Sequence, residues 1–175
     1  MADKNLFLVV GAYGDPATAD EDYKTLKSGE SAGDYEIVGA VVMNRDADGK
    51  VQVSEHDTGK VKRGAGMGAG AGVVVGLFAP PLLAATAIGA GVGAVIGHFR
   101  KRHEEKELGV DVEEYLPAGS SAVVAIVDDK WADKVEAALV KADKRISKAI
   151  DSGDYDEMQK AIEKSEAEVG NAAAT

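Results

Sequence analysis

The chain has 175 residues, 45% of them hydrophobic, with 21 glycines and no cysteine, and its 30 acidic and 20 basic residues give a formal net charge of −10. Without cysteine there is no disulfide framework, thiolate metal site or cysteine nucleophile. A pI near 4.8 argues against a nucleic-acid partner, whose affinity rests on Lys and Arg contacts to phosphate.

The length suits one domain, and the hydrophobic fraction supports a core. The mean hydropathy of −0.13 is that of a soluble chain. Asn5 to Tyr13, continuous in Leu, Phe and Val, predicts a buried strand. Its apolar run, Leu6 to Val10, is too short for a signal peptide and lacks a small-residue cleavage pattern. Asp15-Pro16 predicts a helix start, an N-cap acid followed by Pro at the first helical position. Asp20, Glu21 and Asp22 are expected to favour the positive end of that helix. Ala19, Tyr23 and Leu26 form its inner stripe, and Gly29 to Gly33 is expected to break it. Glu36 to Asn44, rich in Ile and Val, predicts a second strand. Asp46-Ala47-Asp48-Gly49 reads as a hairpin turn leading into a third strand over Lys50 to Glu55.

A different composition then begins. The 36 residues from Gly64 to Phe99 hold no Asp, Glu, Lys or Arg, and Pro80-Pro81 sits at their middle. They read as two helices, about 64–79 and 81–99, joined by a tight turn. Gly64, Gly68, Gly72 and Gly76 recur every four residues, as do Gly89, Gly93 and Gly97. Residues at that spacing share one helix face, giving the small-xxx-small groove through which helix backbones approach closely. In water each glycine would cost about 1 kcal/mol of helix stability relative to alanine. Close packing away from competing water offsets that cost. A flexible linker would be richer in Ser and polar residues than a segment carrying Val73-Val74-Val75 and Leu82-Leu83.

Basic residues flank the segment on both sides: Lys60, Lys62 and Arg63 before it, Arg100, Lys101 and Arg102 after it. These six positive charges leave −16 on the rest of the chain. The collar fits a hairpin with both ends cytoplasmic and would attract anionic lipid headgroups. A helix of about 16 residues spans roughly 24 Å, short of a hydrocarbon core of about 30 Å. Two short spans, a re-entrant hairpin and a protein-lined assembly core therefore remain open.

Acidic composition returns after Arg102. Gly109 to Leu116 predicts a short helix stopped by Pro117 and Gly119, and Ser121 to Val127 an apolar strand. Asp128 or Asp129 is expected to cap a long helix with the stripe Trp131, Val135, Ala138, Leu139, Ala142, Ile146 and Ala149. Tyr155, Met158 and Ile162 mark a weaker last helix before a frayed tail. With the insert set aside, the order is that of an α+β, ferredoxin-like βαββαβ fold with a C-terminal helical extension. The expected sheet has four strands, with helices on one face and the other face left to water or a partner. The predicted units are a discontinuous domain over 1–57 and 104–150, the hairpin with its basic flanks over 58–103, and a C-terminal helix and tail over 151–175.

Several of these motifs together resemble the bacterial "predicted membrane protein" family catalogued as domain of unknown function twelve sixty-nine. They are Leu6–Val10, the strand pair around Val38–Val53 with Asn44-Arg45-Asp46-Ala47-Asp48-Gly49-Lys50, the glycine hairpin 64–99, Leu108-Gly109-Val110-Asp111, and Leu116-Pro117-Ala118-Gly119-Ser120-Ser121-Ala122. The resemblance covers about residues 5–140. It implies a ferredoxin-like domain with a membrane-like hairpin and no established reaction.

No catalytic or metal constellation emerges, and no cofactor or small-molecule substrate is implied. His103 and Glu107 stand four apart, short of the three or four ligands a metal site needs. The glycine run lacks the Lys-Ser or Lys-Thr of a phosphate loop, and Ser120-Ser121 lacks a G-x-S-x-G setting. The expectation is a non-enzymatic, membrane-associated protein that self-associates through its hairpin at the cytoplasmic face of the inner membrane, in a structural or stress-related role. The alternatives are a soluble oligomeric sensor or binding module in the cytoplasm, whose hairpin is a buried assembly core, and a channel or pore. Against a pore, the insert offers no charged or amide residue to line a wet path.

Overall fold

The structure, a computed structural model, describes residues 5–57, 74, 78, 112–150, 155, 156 and 160. Strand β1 (Leu6–Tyr13) leads into helix α1 (Pro16–Ala32), then strands β2 (Ile37–Arg45) and β3 (Val51–Asp57). Helix α2 (Val112–Tyr115), strand β4 (Ser121–Asp128), a 3-10 turn over Asp129–Trp131, helix α3 (Ala132–Ala138) and strand β5 (Lys144–Ile150) follow. The strands form one sheet in the order β3-β2-β4-β1-β5, each antiparallel to its neighbours. Because β1 and β2 both run antiparallel to β4, they are parallel to one another with β4 between them. Strands β4 and β5 are likewise parallel, with β1 between.

The sheet is buried on both faces, which is why β1, β2 and β4 are continuous apolar runs rather than alternating ones. On one face Val9, Val42, Val123 and Val127 pack against Ala19, Tyr23 and Leu26 of α1 and Val135 of α3. On the other, Leu8, Val10, Val41, Met43, Val124 and Ile126 pack against Tyr115, Leu116, Val74 and Phe78. A register shift between Ile37 and Gly39 turns both Ile37 and Ala40 toward the first face and Val38 toward the second. The second face is therefore not left to water: α2 and two residues of the apolar insert lie on it.

Helix α1 starts as its sequence dictates. Asp15 has extended backbone, and its carboxylate accepts the Thr18 N–H at 2.9 Å, with Pro16 next in line. The Thr18 hydroxyl, then the Thr18 N–H, hold the Asp15 carboxyl below its usual range. That stabilisation is present above the unfolded-state carboxylate range and is lost as pH falls through the lowered pKa. Asp15→Ala is expected to lower the urea midpoint at neutral pH and to flatten its fall in acid, with Asp15→Asn recovering most of the neutral-pH loss; urea titrations at several pH values check this.

The helix does not break at Gly29. It runs on to Ala32 and stops at Gly33, whose φ of 85° suits a residue without Cβ and whose N–H donates to the Glu30 carbonyl. Gly29 is a seat for Tyr35: a side chain there would collide with the Tyr35 hydroxyl, which donates to the Leu26 carbonyl at 2.7 Å. Nor do Asp20, Glu21 and Asp22 serve the helix end, since the first turn holds no acid.

The expected long helix after Asp128 is the largest departure. Helix α3 ends at Ala138, and residues 144–150 form β5, a fifth strand alongside β1. Ile146 and Ile150 are four apart, which fits one helical turn and two strand repeats equally well. The free edge of β1 decides between them, because its outward N–H and C=O groups require partners. The Asp143 N–H donates to the Ala12 carbonyl at 2.8 Å, opening the ladder, and Ile146 and Ile150 come to rest on the second core. The first half of the predicted stripe holds, with Val135 and Leu139 fully buried. Tyr155 is helical and packs against the second core; Met158 and Ile162 lie outside the described residues.

Candidate functional site

The residues singled out from the sequence as functional lie outside the described residues. These are Gly64, Gly68, Gly72, Gly76, Gly89, Gly93 and Gly97, the turn at Pro80-Pro81, and the cations Lys60, Lys62, Arg63, Arg100, Lys101 and Arg102. Val74 and Phe78 are the described residues of the insert. Both are helical, and their exposures are 1% and 0%. Four residues apart, they share one side of a helix turn, and that side lies on the sheet.

Two of the motifs behind the family resemblance meet at the end of the sheet. The Arg45 guanidinium donates from Nη1 to Glu113 Oε1 at 3.0 Å and to the Leu116 carbonyl at 3.1 Å. The Arg45 N–H donates to the Ser120 carbonyl at 2.9 Å, and the Gly119 N–H returns to the Arg45 carbonyl at 2.8 Å. Gly119 reaches that position with a φ of 81°. The Ser121 hydroxyl and Asn44 Oδ1 lie 2.6 Å apart across the β2–β4 pair. Asp46 accepts the N–H groups of Asp48 and Lys50 on one carboxylate oxygen, closing the β2–β3 turn. Apart from the Arg45–Glu113 and Ser121–Asn44 pairs, every partner is a backbone group. Ser120 donates its hydroxyl to the Pro117 carbonyl at 2.6 Å, an acceptor that cannot act as a base. The junction is a clamp between the β2–β3 hairpin and the start of β4.

A buried carboxylate escaped the sequence reading. Asp22, 1% exposed, accepts the Tyr13 hydroxyl and the Lys141 N–H on the same oxygen, Oδ2, each at 2.8 Å. Its other oxygen is buried with no hydrogen-bond partner. Burial, and then the Asp22 carboxylate, push the Tyr13 phenol far above its ordinary pKa, so it stays a neutral donor. Asp22 thus ties α1 to β1 and to the segment between α3 and β5. The signal was available: positions 19, 22, 23 and 26 are the i, i+3, i+4, i+7 stripe of an inward helix face, and an acid on that stripe is a buried acid.

Of the three histidines, His56 falls in β3, and His98 and His103 lie outside the described residues. Among the described residues no group of three or more His, Cys, Asp or Glu could hold a metal, and no helix is long and apolar enough to cross a membrane.

These features define an α+β protein built on a five-stranded antiparallel sheet covered on both faces. A family model, Protein of unknown function (DUF1269), matches residues 65–163, more than half of the chain, and the chain belongs to that family. The match differs in extent from the resemblance carried by the motifs: it leaves β1 to β3 outside and reaches into the C-terminal extension. No curated protein matches the chain, and no solved structure does.

Proposed function

We propose that this is a non-enzymatic, membrane-associated protein that self-associates through its glycine-rich hairpin, at the cytoplasmic face of the inner membrane, in a structural or stress-related role. The observation that carries the self-association is the burial of Val74 and Phe78. Were the predicted helix over 64–79 regular, a 3.6-residue wheel would set Gly72 and Gly76 about 120–160° from Val74 and Phe78, so that the glycine row of that predicted helix lies away from the side that holds them. A glycine row so placed would suit a second hairpin. The basic collar supports an anionic lipid surface as the setting. The order β5-β1-β4-β2, with β3 as an added edge, supports the ferredoxin-like reading of the domain.

Gly72→Leu with Gly93→Leu fills both rows. The expected result is a smaller particle mass by light scattering in detergent, and an unchanged mass overturns the proposal.

One observation favours a second reading. Phe78, fully buried among sheet residues, has its partner within the chain, as in a soluble oligomer whose hairpin is an assembly core. Fractionation separates the two: after a high-salt wash the membrane protein stays with the pellet until detergent is added, whereas the soluble one is in the supernatant.

A further inference from the structure

The face of the sheet on which Val74 and Phe78 rest is bordered by cations along β5. In the β1–β5 ladder Lys148 lies opposite Leu8, Ile146 opposite Val10 and Lys144 opposite Ala12, and opposed residues of an antiparallel pair share a face. Leu8, Val10 and Ala12 belong to the core that holds Val74 and Phe78, and Ile146 and Ile150 pack against its margin. Lys144 and Lys148 therefore border that core. Strand β5 carries three cations and no acid. Glu113 and Glu114 stand at the same rim. Arg45 holds the first at 3.0 Å, and the second lies 3.8 Å from Lys144. The opposite, helical face is acidic: α1 has four acids to two lysines, and the 3-10 turn with α3 has three to two.

Resting on the membrane reading above, we propose that the Val74/Phe78 face of the sheet is the side of the domain that meets an anionic lipid bilayer. Lys144 and Lys148 contact the headgroups, and the acidic helix layer is turned to water. Val74 and Phe78, the described residues of the uncharged 64–99 segment, lie on this side. Lysines beside half-buried isoleucines lay their stems on apolar surface and carry their charge to an interface. The difference in sign between the two faces orients the domain over an anionic surface.

The test is vesicle sedimentation of the full chain, with phosphatidylcholine alone or mixed with phosphatidylglycerol. Three proteins are compared: wild type, Lys144→Gln/Lys148→Gln, and Lys130→Gln/Lys134→Gln, which removes the same charge from exposed positions on the helical face. Circular dichroism verifies the fold, and Lys144→Gln alone, at an exposed position, gives a second reading free of packing changes. Wild type is expected to bind phosphatidylglycerol vesicles more tightly than phosphatidylcholine ones. Each β5 substitution weakens that binding by about fivefold, and the helix-face pair leaves it unchanged. Equal losses from both pairs, no loss from the β5 pair, or binding indifferent to phosphatidylglycerol overturns the orientation but not the membrane reading. No vesicle binding by wild type overturns both.

Discussion

Phe78→Ala is expected to destabilise the whole domain by about 3–5 kcal/mol, the usual cost of truncating a buried phenylalanine. Phe78 belongs to an insert that its sequence presents as a separate apolar hairpin, yet its ring is fully buried in the core formed by Leu8, Val41, Val124 and Ile126. Removing the ring leaves a cavity against the central strand β4 and its neighbours β1 and β2, where relaxation is limited by ladders on both sides. The loss therefore falls on global unfolding and appears as a lower urea midpoint with an unchanged slope. Val140→Ala supplies the contrast: Val140 is 69% exposed, and its truncation is expected to change stability by less than about 0.5 kcal/mol. If Phe78→Ala behaves like Val140→Ala, the insert is independent of the domain and the second face of the sheet is covered by something else.

The second large effect is expected at Asp22. Asp22→Ala leaves the Tyr13 hydroxyl and the Lys141 N–H without their acceptor, and burying two such donors costs about 2–4 kcal/mol together. Asp22→Asn keeps an acceptor oxygen but places an amide NH2 where the second carboxylate oxygen has no partner, so it recovers only part of the loss. Tyr13→Phe removes the other half of the pair. The double mutant cycle is expected to give a coupling of about 1–3 kcal/mol, measured by urea unfolding at neutral pH.

An alkaline readout distinguishes this pair from simple packing. Tyr13 and Tyr35 both titrate above the ordinary tyrosine value of 10.0, Tyr35 at about 12, in each case chiefly through burial. A group whose folded pKa is raised contributes stability that is fully present below the unfolded value and is lost as pH rises toward the folded one. Stability should therefore decline from about pH 10 upward. Tyr13→Phe should flatten that decline, leaving the part owed to Tyr35 and to Tyr115, whose phenol burial also pushes up; an unchanged slope would mean that the Tyr13 hydroxyl is not buried against the carboxylate.

The elements that emerged correctly from the sequence are those whose causes are local. Asp15-Pro16 supplies its own cap and its own fixed φ, the Asp46–Gly49 turn closes on its own carboxylate, and the apolar runs of β1, β2 and β4 are strands in any setting that buries both faces. What failed did so where two local solutions had similar energy and a distant partner chose. Ile146 and Ile150 satisfy a helix and a strand alike, until the unpaired edge of β1 makes the strand the one that completes hydrogen bonds. Gly29 looks like a helix breaker until Tyr35 occupies the space its missing side chain leaves. Asp22 looks like an exposed acid near a helix start until β1 brings the Tyr13 hydroxyl to it.

The candidate site divides in the same way. The four-residue glycine period and the basic collar are properties of the sequence alone, because periodicity and charge need no partner to be read. The face of the sheet on which Val74 and Phe78 lie, and the lysines that border it, were decided only by tertiary structure. Val74 and Phe78 are two ordinary apolar residues among many in that segment. Burial against a particular strand is a relation between residues far apart in the chain, and it exists only once the strands have chosen their order.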